Sequence, residues 1–179
     1  MNEVILPDNP YLLLTPGPLS TTRSVKSAML RDWCTWDDDY NNLVQDIRRK
    51  LVNLGAGQGD YTSVLMPGSG TFSVEACLGT ALAAKDKLLV LANGAYGRRM
   101  ATIADRLNIP HTLLDAGETN GIDPAAVEKA LASDPAITHV AVVHCETTTG
   151  MLNPIREIGR MVRNTGRLLI VDALSRYGG

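Results

Sequence analysis

Lys87-Leu88-Leu89-Val90-Leu91-Ala92 is a short run, apolar after its first residue and without polar alternation, and Asn93-Gly94-Ala95-Tyr96-Gly97 breaks it ahead of an amphipathic stretch from about Tyr96 to Leu107. A strand that is apolar on both sides must be covered on both sides, which implies a parallel sheet between helices rather than a half-exposed antiparallel one. The same order of apolar run, turn and amphipathic stretch recurs toward both ends. Upstream, Tyr61 to Met66 reads as a strand, Pro67-Gly68-Ser69-Gly70 as the turn after it, and Phe72 to Ala84 as a helix. Before them come an extended start at Tyr11-Leu12-Leu13-Leu14, a helix from about Ser24 to Arg31, and a second from about Asp38 to Leu54. In the second, Leu43, Ile47, Leu51 and Leu54 share one face and Gly55 is the stop. Downstream, His111 to Leu114 is a shorter strand. Asp123-Pro124 is an N-cap and first helical residue for Ala125 to Ala132. Thr138 to His144 is a strand, Asn153-Pro154 repeats the cap pattern for a helix to about Asn164, Gly166 ends it, and Leu168-Leu169-Ile170-Val171 is the last strand, closing at Asp172. The expected class is α/β, a mainly parallel wound sheet with flanking helices.

Composition narrows the function classes. The 179 residues are 45% hydrophobic and 20% charged, values of an ordinary globular chain of one domain, or one plus a stub. Seventeen basic against nineteen acidic residues, with no like-charge block, leave no electrostatic footprint for nucleic acid. No apolar run approaches the roughly 18 residues of a membrane helix, and the start MNEVILPDNP lacks a basic leader region. Cys34, Cys77 and Cys145 are odd in number and far apart, so a reducing cytoplasm is expected, without disulfides or structural zinc. HExxH and paired ligand spacings are absent as well, so no metal is expected, and the three histidines are expected at the surface or as satisfied core groups. The final residues, Ser175-Arg176-Tyr177-Gly178-Gly179, stand one loop beyond a strand that still needs a covering helix, which leads us to expect a piece of a longer domain.

In an open α/β sheet, ligands bind beyond the carboxyl ends of the strands. Gly68-Ser69-Gly70-Thr71 delivers there a glycine turn, hydroxyls and the free N–H groups of a helix start, which suits a phosphate and equally an ordinary N-cap. A dinucleotide fingerprint fails, because Ser73 stands where a third glycine is needed and no acid follows the second strand; no Gly-Lys-Ser/Thr exists for a P-loop. Tyr96 places one of only eight aromatics at the mouth of the site, for stacking a flat ring or for packing a helix start. His144-Cys145-Glu146-Thr147-Thr148-Thr149-Gly150 is a dense hydroxyl loop, for a ligand or simply for a turn. Asp172 ends an apolar strand and would be costly to bury without a cation or donor. A protonated pyridine nitrogen and a turn amide are both candidates.

These segments resemble the class V aminotransferases of fold type I, and within them the 2-aminoethylphosphonate:pyruvate branch. The resemblance is carried by Leu14-Thr15-Pro16-Gly17-Pro18-Leu19, Cys34-Thr35-Trp36-Asp37-Asp38-Asp39-Tyr40-Asn41, Gly68-Ser69-Gly70, Asn93-Gly94-Ala95-Tyr96-Gly97, the run from His144 to Ile155, and Val171-Asp172-Ala173. It implies pyridoxal 5′-phosphate as cofactor, with Ser69, Gly70 and Thr71 on the phosphate, Tyr96 on the ring, Thr147 near the ring hydroxyl and Asp172 on the ring nitrogen. Thr15, Pro16 and Gly17 would form a substrate-side loop. It further implies a homodimer acting on 2-aminoethylphosphonate and pyruvate. Residues 1–22 would be an extended arm and 23–179 part of the cofactor-binding large domain. The Schiff-base lysine, the substrate-anion arginine and the small C-terminal domain would lie downstream of Gly179. Arg176 departs from the family's small residue, placing bulk and charge near the expected pocket. Two other readings are an alanine or serine transaminase using glyoxylate or pyruvate, and a non-catalytic remnant that keeps a phosphate cup.

Overall fold

The computed structural model describes residues 6, 8–15, 17–56 and 60–177; Pro16 of the expected substrate-side turn and the Gly178-Gly179 pair lie outside the described residues. Two compact units divide the chain, Met1–Leu65 and Met66–Gly179.

In the first unit, α1 (Arg23–Ala28) starts at Thr22, whose hydroxyl accepts from the Val25 amide. The expected extension to Arg31 is not made. The Met29 amide turns back to Lys26 O and the Leu30 amide to Ser27 O, the tight i to i+3 bonds that close a last turn. Helix α2 (Asp38–Gly55) carries Asp38 and Asp39 in its first turn, where the dipole favours acids. The expected strand over Tyr61 to Met66 has no ladder partner among the described residues. The segment is held instead by Arg48 of α2, whose Nε donates to Ser63 O at 2.7 Å and Nη2 to Thr62 Oγ1 at 2.8 Å, while Ser63 Oγ returns a bond to Arg48 O. Extended backbone pinned by one arginine has the outline of a strand without a sheet.

The second unit is the wound sheet. Its elements are α3 (Gly70–Ala81), β1 (Lys87–Ala92), α4 (Ala95–Arg106), β2 (His111–Asp115), α5 (Pro124–Ser133), β3 (Ile137–Val143), β4 (Cys145–Glu146), β5 (Met151–Leu152), α6 (Ile155–Asn164) and β6 (Leu168–Asp172). Strands β2-β1-β3-β6 pair in that order, all parallel, while β4 and β5 make a separate antiparallel hairpin. The unbroken apolar character of β1 is used in full. Leu88 and Val90 face Leu78, Met100 and Ala104 on one side, and Leu89 and Leu91 face Val127, Leu131, Ile158 and Val162 on the other. From β1 the chain crosses through α4 to β2 and from β3 through α6 to β6, opposite directions that right-handed crossovers place on opposite faces. The order therefore reverses between β1 and β3, and the loops leaving these two strands part at the point where such sheets bind ligands. Gly97 lets α4 lie against β1, because a Cβ there would stand 2.7 Å from Ala92 Cα.

Asp123 caps α5 as its sequence suggests, accepting from the Ala125 amide at 2.9 Å, with Pro124 at the first position. The parallel Asn153-Pro154 reading is corrected. No side chain caps α6, since Asn153 is buried and its amide exchanges bonds with Asn93, at 2.9 and 3.1 Å, and donates to Val143 O. His139 is only half satisfied: Nδ1 lies 2.8 Å from Thr138 Oγ1, and buried Nε2 has no partner among the described residues. The three cysteines are free, and among the described residues no helix is long and apolar enough to cross a membrane.

Candidate active site

Ser69 caps helix α3: its Oγ accepts from the Phe72 amide at 3.2 Å and its carbonyl from the Ser73 amide. This leaves the amides of Gly70 and Thr71 with no acceptor among the described residues, at the positive end of a 12-residue helix. Both residues line a cleft of about 210 Å³ shared with Ser69, Tyr96, Arg99 and Asp172. Tyr96 and Arg99 stand three residues apart on α4 and so share a face. The Arg99 guanidinium lies 4.9 Å from the Tyr96 ring centroid, and its Nη1 donates to Thr71 Oγ1 at 3.1 Å. Unpaired amides, a hydroxyl and a guanidinium together make this end of the cleft a place for an anion.

Asp172 enters from the end of β6. Its carbonyl accepts from the His144 amide at 2.8 Å and its Oδ1 from the Leu174 amide at 3.1 Å, so the turn reading of this residue is present in the structure while the side chain also lines the cleft. Five residues singled out in the sequence, Ser69, Gly70, Thr71, Tyr96 and Asp172, thus meet on one cleft. Thr147 does not line it: the residue is half-buried in the turn between β4 and β5, closed by the Gly150 amide on Glu146 O at 2.7 Å. Arg176 is exposed and is not a lining residue either. Thr15 and Gly17 belong to the first unit, where Thr15 Oγ1 donates to Pro18 O at 2.6 Å.

Two contributors escape a reading of the sequence alone. Arg99 looks like any surface arginine of an amphipathic helix until the packing puts α3 beside it. Glu146 looks like one polar residue in a hydroxyl-rich loop. In the fold it is fully buried and accepts from the amides of Tyr96 and Gly97, both at 3.1 Å, and from Thr148 N at 3.2 Å and Oγ1 at 2.7 Å. The only available signal is an acid placed just after an apolar strand. Farther out, Arg98 pairs with Asp115 at 2.7 Å and Glu118 at 2.6 Å, and its hydrogen bond holds the Asp115 carboxyl below the usual carboxylate range.

A family profile described as aminotransferase class-V matches residues 23–179. The chain belongs to the class-V aminotransferases. Among curated relatives of this class-V aminotransferase, 2-aminoethylphosphonate–pyruvate transaminase of Syntrophobacter fumaroxidans is 64% identical over 97% of the chain and 47% of its own length. The enzyme of that name from Vibrio vulnificus is 61% identical over 96% and 47%. The solved structure of pyridoxamine-pyruvate aminotransferase from Mesorhizobium loti matches with a TM-score of 0.85 at 30% identity, covering 96% of this chain and 44% of that one. The chain therefore spans about half the length of the curated relatives it matches.

Class-V aminotransferases depend on pyridoxal 5′-phosphate, and the residues present fit that group. The free Gly70 and Thr71 amides suit a phosphate, an aromatic ring borders the same cleft, and a carboxylate stands at its edge.

Proposed function

We propose that this chain is the N-terminal part of a pyridoxal-phosphate-dependent aminotransferase that moves the amino group of 2-aminoethylphosphonate to pyruvate, giving phosphonoacetaldehyde and alanine. The observation that carries the reading is the 64% identity, across almost all of the chain, to an enzyme named for that reaction. The cleft supports it. Ser69 Oγ and the Gly70 and Thr71 amides hold the cofactor phosphate, the Tyr96 ring packs on the pyridine, and Asp172 meets the ring nitrogen and keeps it protonated. Thr147 bonds near the ring hydroxyl, which needs the β4–β5 turn to bring it in. Thr15, Pro16 and Gly17 serve the acidic substrate. The bound cofactor supplies an electron sink for the pair left when a proton leaves the substrate carbon. The chain's own residues bind it, orient it and fix its charge.

Residues 1–22 are read as an arm and 23–179 as part of the large domain. The protein is read as a cytoplasmic homodimer. The test is amino transfer by the intact gene product, read as alanine formed from 2-aminoethylphosphonate and pyruvate, beside glycine formed from alanine or serine with glyoxylate. A preference for the phosphonate donor is expected, and a preference for either of the others overturns the substrate.

A further inference from the structure

We propose that Glu146 is a positioning residue, which sets the Tyr96 ring by tying the first turn of α4 to the β4–β5 hairpin; the consequence for ligand binding rests on the cofactor reading above. Three observations carry it. The carboxyl group has no exposed surface, a position costly for a polar group unless it is fully bonded, and it is bonded on both oxygens. Oε2 accepts from the Tyr96 and Gly97 amides, two of the free donors at the positive end of α4, and Oε1 accepts from the Thr148 amide and hydroxyl, whose oxygen in turn accepts from the Ala95 amide at 3.2 Å. The backbone is shaped around it, since a Cβ on Gly94 would meet Glu146 Cγ at 2.4 Å and Thr148 Oγ1 at 2.7 Å. Beside this tie, the buried amides of Asn93 and Asn153 clamp the loop before α4 to the segment that follows β5.

The arrangement leaves α4 with no side-chain cap of its own, because Gly94 precedes it. An acid fifty positions away in sequence does that work and leaves Tyr96 little freedom to slide along the cleft wall. Glu146→Gln with its oxygen toward α4 keeps both helix bonds; it loses the bonds donated by the Thr148 amide and hydroxyl, and its own N–H can donate to Thr148 Oγ1 in their place. Glu146→Asp keeps the charge and loses the reach. Length, not charge alone, is thus the property the position needs.

The experiment titrates pyridoxal 5′-phosphate into the purified chain by absorbance, for wild type, E146Q, E146D, Y96A and Y96A/E146D, with amide exchange and the Tyr96 ring resonances followed by NMR. The expected result is a dissociation constant raised ~10-fold in E146D and at most ~3-fold in E146Q. In the Y96A background the E146D change should add almost nothing, as for two residues acting in series. Additive losses, or E146Q as damaging as E146D, overturn the proposal. If wild type shows no saturable binding, it is the cofactor reading that fails. The positioning role is then decided by exchange alone: protected Tyr96 and Gly97 amides in wild type that open in E146D support it, and unchanged protection overturns it. Should E146D not fold, the same cycle is run with E146Q, whose smaller penalty must likewise vanish in Y96A.

Discussion

Asp172 has two duties that one substitution separates. The turn after β6 needs an oxygen for the Leu174 amide, and Asn supplies one as well as Asp does. The proposed ring-nitrogen contact needs a negative charge. Asp172→Asn is therefore expected to leave stability within about 0.5 kcal/mol of wild type, the usual range for a change that keeps its bonds. Losing a charged partner, worth about 1.5–3 kcal/mol, should weaken pyridoxal phosphate on the order of tenfold or more. A urea melt and a cofactor titration on the same preparation read both, and unchanged affinity would remove Asp172 from the site. Asn153 gives the opposite kind of residue, structural throughout. Its side chain satisfies Asn93 and the Val143 carbonyl in a buried position, so Asn153→Ala strands several polar groups and should cost about 1–3 kcal/mol in denaturant unfolding.

At the scale of elements, the seat of α4 on β1 is the contact most sensitive to a single methyl. Gly97→Ala improves helix propensity by about 1 kcal/mol, yet its Cβ would press on the Ala92 backbone, which has no rotamer to give way. Overpacking of this kind costs about 1–3 kcal/mol, and a lower urea midpoint with an unchanged slope is expected. A net gain would show that α4 lifts freely. The outer end of α4 adds a pH term through Arg98 and Asp115. Asp115 titrates lower in the folded chain than when unfolded, so its contribution is complete above roughly pH 4 and fades as the pH falls through the depressed folded value. Asp115→Asn should flatten the stability curve in that acid window by well under about 1 kcal/mol, the pair being partly exposed. Legibility in the sequence follows the range of the forces involved. Lys87–Ala92 and the Asp123-Pro124 cap are written in adjacent residues, and the structure repeats them. Tyr61 to Met66 departs from the expected strand because composition favours extension without supplying a partner, and Asn153 from the expected cap because a cap and a buried clamp use the same amide. The convergence of Ser69, Tyr96 and Asp172 was legible, since a turn, a helix start and a strand end that the chain order sends to one sheet edge carry them. Glu146 and Arg99 were not, because their partners lie 50 and 28 positions away.

At the scale of the molecule, two expectations concern what the chain does by itself. Strand β6 is an edge of the described sheet, and Leu168 and Leu174 beside it are exposed along with Trp36, Leu14 and Met29 of the first unit. Exposed apolar side chains and an open strand edge favour association, and light scattering at micromolar concentration should give at least a dimer's mass. The other expectation is catalytic. Transamination needs a base held at the substrate carbon, and in this family a lysine fills that role. The lysines of the chain are Lys26, Lys50, Lys85, Lys87 and Lys129, and none lines the cleft. Lys87 illustrates why. It starts β1, pairs with Asp134 at 2.7 Å, and is separated from the carboxyl edge by the length of the strand, roughly 16 Å at about 3.3 Å per residue. Lys85 precedes the same strand end, and Lys129 rides on α5. With the proposed phosphate, ring and nitrogen contacts and no lysine of the second unit lining the cleft, the 179-residue chain should bind pyridoxal phosphate reversibly and form no alanine from 2-aminoethylphosphonate and pyruvate above the rate of the free cofactor. Borohydride reduction followed by mass measurement should find no adduct confined to one lysine. Turnover accompanied by a reduced adduct on a single lysine would mean that the cleft closes around an amine these residues do not bring to it.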